Sequence, residues 1–156
     1  MSPGQPPRHM VAVARLYDAV KHHVPPNLRV VPDVDLDLQL APADQPGTAR
    51  RPDLVVVERE EFDRVTETGG LLRAAHTVLV VEVVSPGSKR TDNLVKRGEY
   101  ADGGIPYYWI IDPEAPISLV ACHLAGSFGY QDSGEATGVF SSTQPFEVRI
   151  DLDALC

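Results

Sequence analysis

Apolar residues recur at helical spacing near the N-terminus and at strand spacing soon after it. The helical spacing predicts a helix over residues 9–22, stopped by Pro25 and Pro26, with an apolar face made of Met10, Val13, Tyr17 and Val20. Over residues 28–40, apolar and polar side chains alternate for much of the length. That alternation predicts one long strand with one face buried and the other wet.

Between residues 41 and 70 the pattern predicts loops around one short strand. Residues 41–51 contain two prolines and a glycine, which is typical of a turn-rich loop. The apolar segment Leu54–Val57 predicts a short strand. Residues 58–70 are polar, and we expect a loop there with at most a helical turn.

The middle of the chain carries the strongest strand signal. Thr77–Val84 reads TVLVVEVV, a nearly continuous run of β-branched residues that is typical of a central strand covered on both faces. A Pro/Gly turn at 85–89 follows, and Thr91 or Asp92 is suited to cap a helix that runs to about Ala101.

Strands dominate the rest of the chain. They are predicted at Tyr107–Ile111, at a hairpin of Leu119–Leu124 with Phe128–Gln131, and at Phe146–Ile150. This order of elements predicts an α/β (α+β) fold with a mixed central sheet flanked by helices. The chain shows no internal repeat or clear linker, so we expect a flexible tail at 1–8 and one domain over 9–156.

Composition limits the possible classes of protein. The 156 residues suit one domain with a sizeable core, and 43% are hydrophobic, as in ordinary globular proteins. No apolar run approaches the roughly 20 residues that span a bilayer, and the N-terminus lacks the apolar core of a signal peptide. We therefore expect a cytoplasmic location and no membrane partner. Two cysteines do not suggest a disulfide framework or a four-ligand zinc site.

The net charge of −8 bears on a nucleic-acid partner. Nucleic acid is usually met by a basic surface, so the charge argues mildly against tight, nonspecific binding of long duplex DNA. Local positive charge could still serve a nucleic-acid site. Carboxylates that bind a divalent cation would also make the net charge of the metal-bound protein less negative than that of the chain alone.

Glu82 is the most informative residue, because a carboxylate is costly inside the aliphatic segment Val78–Val84. A metal ion, a cationic partner such as an arginine, or exposure at a sheet edge would each offset that cost. Asp53 opens the short strand at Leu54, and two adjacent strands would bring Asp53 and Glu82 within reach of one ion. Mg²⁺ is commonly held by one or two carboxylates with waters and phosphate oxygens. An ordinary turn residue is the alternative for Asp53.

Lys96 is the third candidate. In the predicted helix, Asp92, Lys96 and Tyr100 are four residues apart and share one face. The turn at 85–89 would return that helix to the end of the Glu82 strand. A lysine there could orient an attacking water and balance negative charge. A solvated lysine paired with Asp92 is the alternative.

Several short motifs in fixed order connect these residues to a known family. They are PDLVVV at 52–57, LVVEVVSP at 79–86, the helix residues Arg90, Asp92, Lys96 and Tyr100, and GIPYYWIIDP at 104–113. From about His9 to its C-terminus the chain resembles the Uma family of putative restriction endonucleases, a bacterial branch of the PD-(D/E)XK nuclease superfamily. The resemblance implies a restriction-endonuclease-like PD-(D/E)XK core.

The family pattern can be carried over residue by residue. The Asp of the P-D motif falls on Asp53, and the acidic residue of the (D/E)XK motif falls on Glu82. In the usual pattern a lysine lies two residues after that acid, but Val84 stands there. The Uma branch resembles members whose lysine has moved to the following helix, which matches Lys96. Lys89 is the nearest substitute.

The resemblance implies an endonuclease that hydrolyses phosphodiester bonds in nucleic acid, which we expect to be DNA. Asp53 and Glu82 would hold Mg²⁺, for which Mn²⁺ could substitute, together with the backbone carbonyl of Val83. Lys96 would position the attacking water. Supporting roles are expected for Ser85, Asp92 and Tyr100.

Two further expectations concern partners. Cutting both strands of a duplex favours a homodimer, with an interface near the apolar residues Tyr107–Ile111. The alternative function is a non-catalytic nuclease-fold domain that binds nucleic acid or a protein partner. The acidic charge and Val84 favour that alternative, whereas the presence of Asp53, Glu82 and Lys96 together favours catalysis.

Overall fold

The aliphatic segment at Thr77–Val83 forms a strand in the middle of the largest sheet, as its sequence predicts. The computed structural model describes residues 6–42, 44, 47–84 and 90–156, with backbone alone for 90–93. Its helices are α1 (Pro7–Lys21), α2 (Arg59–Thr68) and α3 (Arg90–Asp102). Its strands are β1 (Leu28–Pro32), β2 (Leu36–Asp37), β3 (Ala49–Arg50), β4 (Leu54–Glu58), β5 (Leu72–Arg73), β6 (Thr77–Val83), β7 (Tyr107–Asp112), β8 (Ser118–Leu124), β9 (Tyr130–Thr137), β10 (Val139–Ser142) and β11 (Val148–Asp151).

The main sheet is mixed, which confirms the predicted fold class. Its strand order is β1-β4-β6-β7-β8-β9. Strands β6 and β7 are parallel and are connected through α3, whereas the other neighbours are antiparallel. Strands β3, β2 and β5 form a small second sheet, and β10 pairs with β11. No helix in the described part of the chain is long and apolar enough to cross a membrane.

Both faces of β6 are covered, as a continuous aliphatic strand requires. Val81 and Val83 pack in a core with Leu16 of α1. Val80 points to the other face and packs in a second core with Tyr100 of α3. Because successive side chains of a strand alternate between faces, Glu82 points toward α3 rather than α1.

The long strand predicted over residues 28–40 is wrong in one respect, because it is two strands. Strand β1 pairs with β4 in the main sheet, and β2 belongs to the small sheet. Between and after them, Asp33 and Gln39 adopt left-handed backbone conformations, with φ of 49° and 57°. A residue in that region turns the chain out of an extended strand. The apolar alternation persists because Leu36 and Leu38 are buried in the second core.

The loop predicted over residues 58–70 is also wrong, since ten of these residues form α2. The apolar pattern is weak because Phe62 and Val65 are only partly buried against the second core. Acidic residues in the first turn, Glu60 and Glu61, favour a helix start. Glu61 is buried and accepts hydrogen bonds from Arg64 and Arg73. The ion pair of Glu61 with Arg73 of β5 therefore adds to the apolar contacts of Phe62 and Val65 in holding this helix against the sheet.

Smaller differences occur at both ends of the chain. Helix α1 begins at Pro7, and its buried face is His9, Ala12, Val13, Leu16 and Val20, rotated from the predicted one so that Met10 is exposed. The hairpin of β8 and β9 is confirmed, although β9 extends to Thr137. The last strand starts at Val148, and its partner β10 was not predicted.

Strand β7 does not offer the dimer interface that the sequence suggested. It lies between β6 and β8, so both of its edges are hydrogen-bonded. Tyr108, Trp109 and Ile111 are buried within the same chain. The structure therefore gives no support to an interface at the edges of this strand. The homodimer itself stays a prediction without an assigned surface, and light scattering would measure it.

We predict that the buried carboxylate of Glu61 makes stability depend on pH. Hydrogen bonds from Arg64, followed by those from Arg73, hold the pKa of Glu61 at about 2, against an ordinary value of 4.5. Because the folded pKa is depressed, the stabilisation is complete above about pH 4.5 and is lost as the pH falls toward 2. Glu61→Gln should lower the free energy of unfolding by about 3 kcal/mol at pH 7.

Chemical denaturation of both proteins at several pH values measures this effect. The gap between wild type and Glu61→Gln should narrow as the pH falls below about 4.5. Glu60→Gln is the matched control, because Glu60 is an exposed neighbour in the same helical turn. A gap that stays constant from pH 7 to pH 3 would contradict the assignment.

Candidate active site

Asp53 and Glu82 come together at one end of the main sheet. Leu54 lies opposite Val81 in the antiparallel pairing of β4 with β6, which puts Asp53 beside Glu82. The Asp53 carboxylate confirms this register, because its Oδ2 accepts a hydrogen bond from the backbone N–H of Val83 at 2.8 Å. The turn before β4 is fixed as well, since the N–H of Asp33 donates to the Asp53 carbonyl at 3.1 Å.

The second oxygen of Asp53 contacts a residue that the sequence did not reveal as part of the site. Oδ1 of Asp53 lies 2.9 Å from Nε2 of His9, on the first turns of α1. His9 is almost fully buried, and the Asp53 side chain is 19% exposed. The available signal was the position of His9 in helical register with Ala12, Val13 and Leu16, which places a histidine on the apolar face of α1.

Glu82 is buried and hydrogen-bonded, as its aliphatic surroundings require. It is 6% exposed, and its Oε1 accepts a hydrogen bond of 2.6 Å from the hydroxyl of Tyr100. Burial, together with the negative charge of Glu82, raises the pKa of Tyr100, so the hydroxyl keeps its proton and remains a donor. Tyr100 was expected to support Lys96, but its hydroxyl contacts Glu82 directly.

Lys96 reaches the other oxygen of the same carboxylate. Its Nζ lies 3.8 Å from Oε2 of Glu82, and its side chain is 25% exposed. Lys96 and Tyr100 are four residues apart on α3, so both approach Glu82 from one face of this helix. A cationic partner was one of the three ways in which the sequence allowed the burial of Glu82, and the structure supplies one from the following helix. The three predicted residues lie at one end of the sheet.

A neighbouring cluster under α3 contains a cysteine that is not suited to nucleophilic chemistry. Arg97 donates to the carbonyl of Tyr130 and to Asp132, and its Nη1 lies 3.6 Å from Sγ of Cys122. Burial, followed by the charge of Asp132, raises the pKa of Cys122 to about 12. The thiol therefore stays protonated near neutral pH, and the reactive form of cysteine is the thiolate.

The remaining predicted site residues have different outcomes. Val83 contributes its N–H to Asp53, and the structure does not test the expected role of its carbonyl. Val84 continues the strand direction, since its N–H donates to the carbonyl of Ile111 at 2.8 Å. Ser85, Lys89 and the side chain of Asp92 lie outside the described residues.

The donors at this end of the sheet fit a hard divalent cation. Two carboxylates are a sufficient protein contribution for Mg²⁺, which keeps several waters and also binds substrate phosphates. Each carboxylate oxygen has more than one lone pair, so the hydrogen bonds to His9 and Tyr100 leave capacity for an ion. Among the described residues, no group of three or more histidine, cysteine, aspartate or glutamate side chains is arranged to hold a metal. The fit therefore depends on Asp53 and Glu82.

Comparison with known proteins identifies the family of the chain. A family model for Uma2, described as "Putative restriction endonuclease", matches residues 1–153. The chain belongs to the Uma2 family. The family description supports a nuclease, a hydrolase of phosphodiester bonds.

A solved structure shares the fold of this Uma2 protein. It is the crystal structure of a putative nuclease belonging to DUF820 from Anabaena variabilis ATCC 29413. The two chains are 13% identical, with a TM-score of 0.72, over 99% of this chain and 83% of the other. No curated protein matches the sequence.

We predict that Tyr100 is needed to keep Glu82 stable in its buried position. Tyr100→Phe removes the donor from a buried charged acceptor and should lower the free energy of unfolding by about 1.5–3 kcal/mol. Tyr130→Phe is a matched control, because the Tyr130 hydroxyl is also buried and donates at 2.6 Å to the neutral carbonyl of Ile105. Its loss should cost about 1 kcal/mol. Denaturation curves in urea measure both, and an equal or smaller loss for Tyr100→Phe would contradict the prediction.

Proposed function

We propose that this Uma2 protein is a metal-dependent endonuclease that hydrolyses phosphodiester bonds in DNA. The observation that carries the proposal is the juxtaposition of Asp53, directly before β4, with Glu82 on the adjacent strand β6, and the Nζ of Lys96 3.8 Å from Glu82. Mg²⁺, or Mn²⁺ in its place, would bind between the two carboxylates and lower the pKa of the attacking water. The backbone carbonyl of Val83 is a further candidate ligand.

The ammonium of Lys96 has the position and access that the reaction needs. It is partly exposed at the end of the sheet, whereas Glu82 below it is buried. A lysine held there can orient water toward a phosphate and stabilise the negative charge that develops on the phosphate oxygens. Tyr100 holds the buried carboxylate of Glu82 in place. If Lys96 turns from Glu82 toward the substrate, the carboxylate therefore keeps a hydrogen bond.

The distribution of charge supports an anionic substrate at this site despite the acidity of the whole chain. Residues 89–97 contain four of the 14 basic residues of the chain and one acidic residue, Asp92. Lys96 and Arg97 belong to this segment and lie on α3. A basic segment is suited to a phosphodiester backbone, and Lys96 of this segment lies 3.8 Å from Glu82.

A second candidate function is a nuclease-fold domain that binds nucleic acid or a protein without cleaving. Val84 at the usual lysine position and the net charge of −8 favour it. The burial of Glu82 argues against it, because a strand freed from catalysis would be more stable with an aliphatic residue at that position.

The metal site is tested by thermal unfolding with and without Mg²⁺ or Mn²⁺. A cation that binds only the folded protein stabilises it, by about 1.4 kcal/mol at ten times its dissociation constant. Wild type should therefore melt at a higher temperature with metal, and Glu82→Gln should lose most of that response. Glu147→Gln, at an exposed site on the other end of the chain, should respond like wild type. An equal response of wild type and Glu82→Gln would rule out the proposed site.

The catalytic role of Lys96 is tested with a substitution that should lower the cleavage rate and leave metal binding unchanged. Lys96→Ala should lower the rate of DNA cleavage by a factor of about 10² to 10³, because Lys96 acts on charge that develops in the transition state. Its melting temperature and metal response should stay close to those of wild type. The measurement is single-turnover cleavage of labelled DNA with Mn²⁺.

Two controls separate the possible outcomes. Lys21→Ala removes an exposed lysine that pairs with Asp18 on α1, and it should leave cleavage unchanged. Lys89→Ala tests the substitute lysine. Loss of cleavage in Lys89→Ala but not in Lys96→Ala would transfer the role to Lys89. Binding of nucleic acid by wild type without any cleavage, unaffected by Asp53→Ala or Lys96→Ala, would favour the non-catalytic candidate.

A further inference from the structure

We propose that His9 is a positioning residue of the metal site, which acts by fixing the carboxylate of Asp53. The inference rests on the proposed metal-dependent function and adds a residue from α1 to it. Its basis is the contact of 2.9 Å between Nε2 of His9 and Oδ1 of Asp53, at a histidine that is 3% exposed.

The Asp53 carboxylate is held at both of its oxygens by different elements. Val83 of β6 donates its N–H to Oδ2, and the imidazole of His9 on α1 contacts Oδ1. The terminal torsion of an aspartate is broad and is not fixed by the side chain alone. Two contacts from two directions restrict that torsion and hold the Asp53 carboxylate at the end of the sheet where β6 carries Glu82.

The position of His9 on α1 indicates that this residue serves the contact with Asp53. The other buried positions of this helix are occupied by Ala12, Val13, Leu16 and Val20, which pack against the sheet. A buried polar ring costs free energy unless it is hydrogen-bonded. A histidine in this stripe is therefore explained by the partner it contacts.

Asp53 and Glu82 are thus each held by a helix on a different face of the sheet. His9 of α1 contacts Asp53, and Tyr100 of α3 donates to Glu82. Residues that hydrogen-bond to metal ligands set their orientation, and removing such a residue typically costs 10- to 100-fold in metal affinity or activity. We infer an effect of this order for His9.

The experiment measures Mn²⁺ binding to the full chain by isothermal titration calorimetry. His9→Leu keeps much of the side-chain volume and removes the donor, and it should weaken Mn²⁺ binding by about 10- to 100-fold. His9→Gln places an amide N–H close to the position of Nε2, and it should restore binding most of the way to wild type. His22→Ala, at the far end of the same helix, is the neutral control.

Unfolding by urea without metal accompanies each titration, so that a merely structural role is recognised. A structural role would make metal affinity follow stability in His9→Leu and His9→Gln alike. Weak binding in His9→Leu with recovery in His9→Gln, at similar stability, would support the positioning role.

Besides that structural result, two outcomes would overturn the inference, and they differ in whether the proposed function also fails. If wild type binds Mn²⁺ through Asp53, shown by loss of binding in Asp53→Asn, and His9→Leu binds equally well, His9 has no positioning role and the proposed function stands. If wild type does not bind Mn²⁺, or Asp53→Asn binds as wild type does, the proposed metal site and the role of His9 both fail.

Discussion

A carboxylate inside an aliphatic strand is the constraint on which this structure depends. Glu82 is 6% exposed within β6, and an unpaired charge there would cost several kcal/mol. The structure meets that cost from α3, where Tyr100 donates to one oxygen and Lys96 lies near the other. The packing of α3 against the sheet is therefore partly polar. A shift of this helix would also change the contacts of Tyr100 and Lys96 with Glu82.

Much of the fold could be predicted because its central strands carry their own signal. The β-branched run of β6 and the short apolar run of β4 require burial, and the structure places them side by side. Helix α2 could not be predicted in the same way. Its buried residue is Glu61, whose partner Arg73 lies outside the helix, in strand β5. The break between β1 and β2 was hidden as well, because the apolar alternation continues through Asp33 while its backbone turns.

The candidate site likewise contains residues that the sequence could identify and one that it could not. Glu82 could be singled out from sequence as a charge in an apolar strand, whereas Asp53 and Lys96 were assigned through the resemblance to the family motifs. The contact of His9 with Asp53 joins residues 44 positions apart, and no local pattern links them. The sequence analysis did not single out His9, and only the packing of α1 on the sheet identifies Asp53 as its partner.

The same packing explains how a lysine can leave the strand and still serve the site. Residues 82 and 84 point to one face of the sheet, so a lysine at position 84 would lie beside Glu82 by strand geometry alone. Val84 lacks the charge, and Lys96 brings it from the helix that covers this face. The position of the Lys96 ammonium therefore depends on how α3 packs against the sheet. Tyr100, one turn further along and fully buried, fixes that seating through its bond to Glu82. The displaced lysine and the buried tyrosine therefore form one arrangement, in which the carboxylate positions the helix that carries its own cationic partner.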